Sequence, residues 1–233
     1  MNKPIYLIGC GKGGTGKSCV TVTLLDKLKE NKEKIKFIET DTSNPDVYKS
    51  HRHEEEIDSI LLNLDNADGW IDLINIADES PDYNLVINTA ARNNLSIEQY
   101  GNILNETLPQ LNRKMITLWV INRQRDCLEI LKQYLKVLPY SDNHILHTIR
   151  NNYFGKDDKF ELYNNSKLRL ENEKLGGLTL SFPELADRVA DELYSSRLSI
   201  SQAMKKMPLG NKAELIRWQK IAHQMIQEII EHG

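Results

Sequence analysis

Residues 9–18 read Gly9-Cys10-Gly11-Lys12-Gly13-Gly14-Thr15-Gly16-Lys17-Ser18 and contain a complete G-x-x-x-x-G-K-S phosphate loop. The chemistry such a run can do is to hold a triphosphate. A glycine-rich turn lets main-chain N–H groups converge on one spot, and the N-terminus of a following helix adds a favourable dipole there. In that cradle Lys17 reaches the β and γ phosphates, and the Ser18 hydroxyl joins an octahedral Mg2+ shell completed by phosphate oxygens and waters. The candidate nucleotide contacts are therefore Gly11, Lys12, Gly13, Gly14, Thr15, Gly16, Lys17, Ser18 and Cys19. A second lysine, Lys12, stands inside the loop, where a simple solvated lysine is the competing reading.

A phosphate loop needs a strand before it and a helix after it. Residues 4–8 form an apolar run that reads as a buried strand, and residues 20–29 read as a helix. Further along, short runs rich in Ile, Val or Leu alternate with helical stretches, the pattern of parallel strands joined by crossover helices. Strands are expected at 5–9, 35–39, 84–88, 115–121, 144–150 and 178–182. Helices are expected at 18–30, 69–78, 96–108, 125–138, 182–197 and 212–231. The fold class predicted is α/β, a mostly parallel, doubly wound sheet flanked by helices, in a single domain over 1–233 with a C-terminal helical region at 197–233. Chemistry should then gather at strand carboxyl ends. The polar stretch 154–174 is the least regular and is expected to be a mobile loop or a lid.

Composition sets outer bounds. With 40% apolar and 27% charged residues, the 233-residue chain has an ordinary core and an ordinary surface. No apolar run approaches the roughly 20 residues that span a bilayer, and the N-terminus has no export signal, so a cytoplasmic protein is expected. Cys10, Cys19 and Cys127 form no C-x-x-C pair, which argues against zinc, iron–sulfur and disulfide frameworks. His51-Arg52-His53 lacks further ligands nearby and reads as a loop or helix start rather than a metal site.

The spelling K-G-G-x-G-K-[ST], met by Lys12, Gly13, Gly14, Thr15, Gly16, Lys17 and Ser18, resembles the deviant Walker A motif of the ParA/MinD family of ATPases. The resemblance implies ATP and Mg2+ as ligands and slow ATP hydrolysis. It also implies an ATP-bound homodimer in which Lys12 crosses to the partner's nucleotide. A facing cation can neutralise the transferring phosphoryl group only when the second subunit is docked. The segment Phe37-Ile38-Glu39-Thr40-Asp41 looks like the family's strand ending in D-x-D, with Glu39 in place of the first aspartate. The resemblance places Asp41 beside the attacking water and the Mg2+ shell, and so with Lys12 and Lys17 as catalytic; an Asx-turn aspartate is the alternative. The segment Asp82-Tyr83-Asn84-Leu85-Val86-Ile87-Asn88 occupies the place of the family's Walker B strand, and its closing aspartate is here Asn88. An amide oxygen can accept from a metal-bound water but brings no charge. Ser18, Asp41 and Asn88 are thus the candidate metal residues, and weaker metal holding is expected.

Asn151, with Asn152 competing, and Pro183 stand where family members face the adenine. Arg123 and Arg125 read either as interface residues or as solvated arginines at a helix start. Overall charge is −3, so no global basic field draws the chain to DNA. Yet Lys205, Lys206, Lys212, Arg217 and Lys220 cluster near the C-terminus, where ParA-like proteins contact DNA without reading sequence. A solvated helical face explains them equally. The stripe Leu215, Trp218, Ala222, Met225, Ile226, Ile229 and Ile230 could lie on a membrane, as in MinD-like proteins, but charges on the helix nearly cancel, which favours packing against the domain. The implied role is a nucleotide switch for DNA segregation, plasmid maintenance or mobilisation. It would work with an adaptor or stimulating protein, in the cytoplasm and in contact with the nucleoid. The alternative is a scaffold or positioning protein that barely hydrolyses ATP.

Overall fold

The computed structural model describes residues 2–10, 12–91 and 93–233. Among these, seven strands form one all-parallel sheet in the order β3-β2-β4-β1-β5-β6-β7. They are β1 Ile5–Gly9, β2 Ile35–Glu39, β3 Ile57–Leu61, β4 Asn84–Asn88, β5 Met115–Ile121, β6 His144–Asn151 and β7 Thr179–Phe182. The helices are α1 Lys17–Glu30, α2 Asp46–His51, α3 Ala67–Glu79, α4 Asn94–Leu111, α5 Arg125–Val137, α6 Glu161–Asn164, α7 Lys167–Lys174, α8 Asp187–Ser195, α9 Ile200–Lys206 and α10 Leu209–His232. The doubly wound α/β expectation is met.

The central strands are buried along their whole length, as strands covered on both faces must be. Alternation then splits the core in two. Tyr6 and Ile8 point into one layer with α1, α8, α9 and α10, while Ile5 and Leu7 point into the other with α3, α4 and α5. In α10, Leu215, Trp218, Ala222, Met225, Ile226 and Ile229 are buried in the first layer, and the Trp218 indole donates to Pro183 O at 2.9 Å. That apolar stripe is core, and Ile230 packs at its margin. At the opposite end of the sheet a fully buried Arg113 gathers loose ends, donating to the carbonyls of Lys3 (2.6 Å), Ala77 (3.1 Å), Tyr83 (2.9 Å) and Ser80.

Three expectations need correction. First, β3 was not expected: it is an edge strand whose Asp58 and Ser59 dilute the apolar run, and it is aligned by pairing Lys36 of β2 against Asp58. Second, the stretch 154–174 is no loose lid. It folds into short 3-10 turns, α6 and α7, and buries Phe160, Tyr163 and Leu168 in the second layer. Arg150 binds Asp157 at 3.0 Å and Ser181 at 3.0 Å, tying that segment to β6 and β7. Third, the helix expected from 182 begins at Asp187, because Phe182 ends β7 and Pro183 holds its predecessor extended. His51 closes α2 rather than opening a helix, and its ring bonds Val47 O.

β1 is the topological switch point: the chain builds β2, β3 and β4 on one side of it and β5, β6 and β7 on the other. Ligands of open α/β sheets bind in the crevice this reversal leaves at the carboxyl ends.

Candidate functional site

The loop after β1 enters that crevice. Gly14 and Gly16 have φ of 73° and 100°, left-handed conformations that favour glycine. A Cβ at Gly13 or Gly14 would meet nothing within 4 Å, whereas at Gly16 it would collide with the Asn151 amide. Among the described residues nothing accepts a hydrogen bond from the main-chain N–H groups of residues 13–18. Lys17 is 8% exposed, and its Nζ donates to Lys12 O at 3.2 Å. Burial pushes the Lys17 pKa down, and no described carboxylate lies within ion-pair distance. A buried ammonium beside main-chain donors with no described acceptor fits an anion. Gly11 lies outside the described residues.

Asn151, the last residue of β6, braces the loop: its Nδ2 donates to Thr15 O at 2.8 Å and its Oδ1 accepts from Tyr153 N at 3.1 Å. Thr15, Gly16, Lys17, Ser18, Cys19, Asn151 and Pro183 all line one cavity of about 390 Å³, together with Phe182, Tyr153 and Tyr194. Burial pushes the Cys19 thiol pKa up to about 11, with the nearby Tyr194 opposing the rise. Asn152 is not in this lining.

The carboxyl ends of β2 and β4 form a second cluster. Glu39 and Asn88 are register partners and both are buried, 1% and 4% exposed. Asn88 Nδ2 donates to both Glu39 oxygens at 3.1 Å, and Asn88 Oδ1 accepts from Thr21 Oγ1 of α1 at 3.1 Å. Glu39 Oε1 also accepts from Asp41 N at 3.1 Å. Burial pushes the Glu39 pKa up to about 7, with the Asp41 charge adding to it and the Asn88 and main-chain hydrogen bonds opposing it. Asp41 Oδ1 accepts from Asn44 N at 3.1 Å, as in an Asx turn. Asp41 and Asn88 do not line the cavity of the phosphate loop; they sit beside it at neighbouring strand ends.

Lys12 is engaged within its own chain. Its ammonium binds Asp126 Oδ2 at 2.7 Å and the Gln124 side-chain oxygen. The Asp126 hydrogen bond raises the Lys12 pKa and holds the Asp126 carboxyl below its usual range. Below this pair Cys10 Sγ lies 3.6 Å from Cys127 Sγ. The Cys127 hydrogen bond holds the Cys10 thiol down, and Cys127 is correspondingly pushed up. Sequence reading passed over Gln124, Asp126 and the thiol pair; the available signal was their position just after β5, the neighbour of β1. Of the arginines noted there, Arg123 donates to Phe154 O at 3.3 Å.

No family model matches the chain. It is 53% identical over 230 residues to Protein MobD of Acidithiobacillus ferrooxidans, covering 99% of each chain. The chain belongs to the MobD family. This MobD-family chain also superposes on a putative plasmid partition protein from Borrelia burgdorferi B31 bound to AMPPNP, with TM-score 0.56, 14% identity, and 99% and 98% of the two chains covered. For the MinD cell division protein of Aquifex aeolicus the values are TM-score 0.55, 13% identity, and 94% and 95% covered. Its fold is that of the ParA/MinD-type P-loop ATPases.

In the MobD-family chain the basic residues near the C-terminus divide. Arg217 is spent on a two-pronged pair with Glu214, at 2.7 Å for each contact. Lys220 lines a groove with Glu30, Glu228 and Glu231, so its field is offset locally. Lys205 and Lys206, exposed in the last turn of α9, and Lys212 at the start of α10 remain as a basic corner. Lys212 Nζ reaches Lys205 O at 3.5 Å. Among the described residues no helix is long and apolar enough to cross a membrane, and no group of three His, Cys, Asp or Glu could hold a metal.

Proposed function

We propose that this chain is an ATP-binding dimerisation switch, an ATPase that turns over slowly without a partner and serves plasmid or chromosome DNA segregation, maintenance or mobilisation. The observation that carries the reading is the buried Lys17, in ion-pair contact with no described carboxylate, beside main-chain donors with no described acceptor at the switch point of the sheet. Residues 13–18 would hold the phosphates. The cavity between Asn151, Pro183 and Tyr194 would take the base. Ser18 and the polar cluster of Asp41, Glu39 and Asn88 would serve the magnesium shell. Mg2+ would supply charge neutralisation on the β and γ phosphate oxygens. Asp41 offers a carboxylate that can orient an attacking water, and Lys17 a cation for the transferred group.

Lys12 would act across the dimer, which requires it to leave Asp126. Docking of the second subunit then becomes the step that completes the charge complement of the site. The basic corner of Lys205, Lys206 and Lys212, with Arg217 and Lys220 beside it, would contact DNA phosphates without sequence reading. The name of the 53% identical relative accords with a mobilisation setting, and the switch would work in the cytoplasm with an adaptor protein. A second reading, a scaffold that binds ATP and barely hydrolyses it, is favoured by one observation: Asn88 stands where the family's acid would be, with its amide already committed.

Sedimentation of the Asp41→Ala protein with ATP tests the switch. A dimer in ATP that is absent in ADP and weakened by Lys12→Ala is expected; monomer in ATP would overturn it. Binding to a random-sequence duplex at two salt concentrations then separates the readings, since a segregation switch binds only with ATP and releases as salt rises.

A further inference from the structure

Cys10 directly follows β1, and Cys127 stands in the first turn of α5. Their sulfurs lie 3.6 Å apart in the second core layer, within van der Waals reach, and the proposed nucleotide chemistry uses neither. The two thiols are not equivalent. Cys127 Sγ donates to Asn122 Oδ1 at 3.2 Å, an arrangement that keeps its proton in place. Cys10 faces the phosphate loop. Its pKa is held down to about 7, chiefly by the Cys127 hydrogen bond and against burial, with the Lys12 main chain, the Lys17 charge and the Thr15 hydroxyl assisting. Thiolate is the reactive form of cysteine, and a low-pKa thiol beside a second one is the arrangement of an oxidisable pair. Cys19 is the internal contrast: it packs against the other core layer, and burial pushes its thiol up.

We propose that Cys10 and Cys127 are a peroxide-sensitive modification site, oxidised to an intramolecular disulfide while the phosphate loop is empty and guarded when nucleotide phosphates fill it. The Cys10 thiolate attacks one peroxide oxygen, the O–O bond breaks, and the departing hydroxide takes up a proton to become water, leaving a sulfenic acid on Cys10. The Cys127 sulfur then attacks the sulfenic sulfur, and its S–H proton leaves with the displaced hydroxide as a second water. The two thiols give up two electrons and the peroxide accepts them; a dithiol reductant reverses the step. The guarding rests on the nucleotide site proposed above. Phosphates beside Lys17 offset the cation that favours the Cys10 thiolate and bring negative charge near it, so less thiolate is present to react. The bond would also fasten the head of the loop to α5, two residues from Lys12 and one from Asp126, and so hold Lys12 on its own chain.

The test exposes the full chain to hydrogen peroxide at pH 7, with and without ATP and Mg2+, then blocks free thiols with N-ethylmaleimide and maps the peptides without reduction. The expected product has lost two hydrogen atoms, links Cys10 to Cys127 within one chain, carries Cys19 blocked as a free thiol, and returns to the parent mass in dithiothreitol. Saturating ATP should slow its formation at least about threefold. In Cys127→Ser no linked peptide should form, and Cys10 should stop at the sulfenic acid, which dimedone traps. Cys10 and Cys127 both still free after peroxide would overturn the pair, as would a disulfide that joins two chains or takes in Cys19. A disulfide that forms equally fast with ATP demonstrably bound overturns the guarding. Should Cys127→Ser not fold, the peptide map of the parent decides. A parent that binds no ATP at equilibrium would sink the nucleotide reading instead, and the map in peroxide alone then decides the thiol pair.

Discussion

The phosphate loop and the carboxyl ends of β2 and β4 lie on neighbouring strands but are built from different materials. The loop works through its main chain: positive φ at Gly14 and Gly16, open space beside Gly13 and Gly14, and amides with no described acceptor. The acid end works through side chains that lean on each other across strands, Glu39 on Asn88 and Asn88 on Thr21. A main-chain device tolerates little respelling at Gly14 and Gly16, whose positive φ favours glycine, and more at Gly13, where a Cβ meets open space.

The largest effect expected on either half is at Lys17. Its ammonium is buried, and among the described residues its hydrogen-bond acceptor is the Lys12 carbonyl, so Lys17→Gln should weaken nucleotide binding about 100-fold, roughly 2.7 kcal/mol, while leaving the apo protein at least as stable. Equilibrium binding and melting of the same variant check both parts. A variant that binds normally would mean that the loop does not use its lysine.

Next in size is a pair of substitutions within the loop. Gly16→Ala sets a Cβ against Asn151 in a left-handed conformation, which costs about 1–2 kcal/mol for the backbone alone. Its Tm should drop by about 3–8 °C. Gly13→Ala meets open space and should melt within about 1 °C of the parent. Equal destabilisation of the two would break the contrast between a loop shaped by steric demand and one that is simply glycine-rich.

That contrast also explains what could be read from the sequence. The loop, β1 and α1 were legible because glycine spacing, an apolar run and helical periodicity coincide there. Six of the seven described strands announced themselves as apolar runs; β3 did not, because an edge strand is half solvated and carries Asp58 and Ser59. The partners of the site residues were illegible for a different reason. Asp126 on Lys12, Asn151 on Thr15 and Glu39 on Asn88 are separated by 114, 136 and 49 residues, and which strand ends meet is a property of the sheet order. Nothing local in the sequence ties Cys10 to Cys127 either, yet β1 and β5 bring them together.

A third, smaller effect concerns the link between loop and dimer. Asp126→Ala removes the cis partner of Lys12 and should shift the ATP-dependent monomer–dimer equilibrium toward dimer by no more than about fivefold, the size expected of an exposed ion pair. The apo melting temperature should barely change. Sedimentation at matched concentrations reads the shift, and a weaker dimer would instead make Asp126 part of the interface.

The smallest effect is a difference of sign with pH. Burial lifts the Glu39 carboxyl from 4.5 to about 7, so the native state holds that proton more tightly than the unfolded chain does. Its contribution to stability is complete below pH 4.5 and is lost as pH rises through 7. Lys17 behaves oppositely: its pKa is lowered on folding, so the unfolded chain binds the extra proton and stability from this group rises as pH climbs toward 10.5. Urea midpoints between pH 5 and 7 should therefore fall more steeply for the parent than for Glu39→Gln, and Lys17→Gln should leave that slope unchanged. An identical slope in parent and Glu39→Gln would mean that Glu39 keeps its charge throughout, because its hydrogen bonds from Asn88 and the main chain then outweigh its burial.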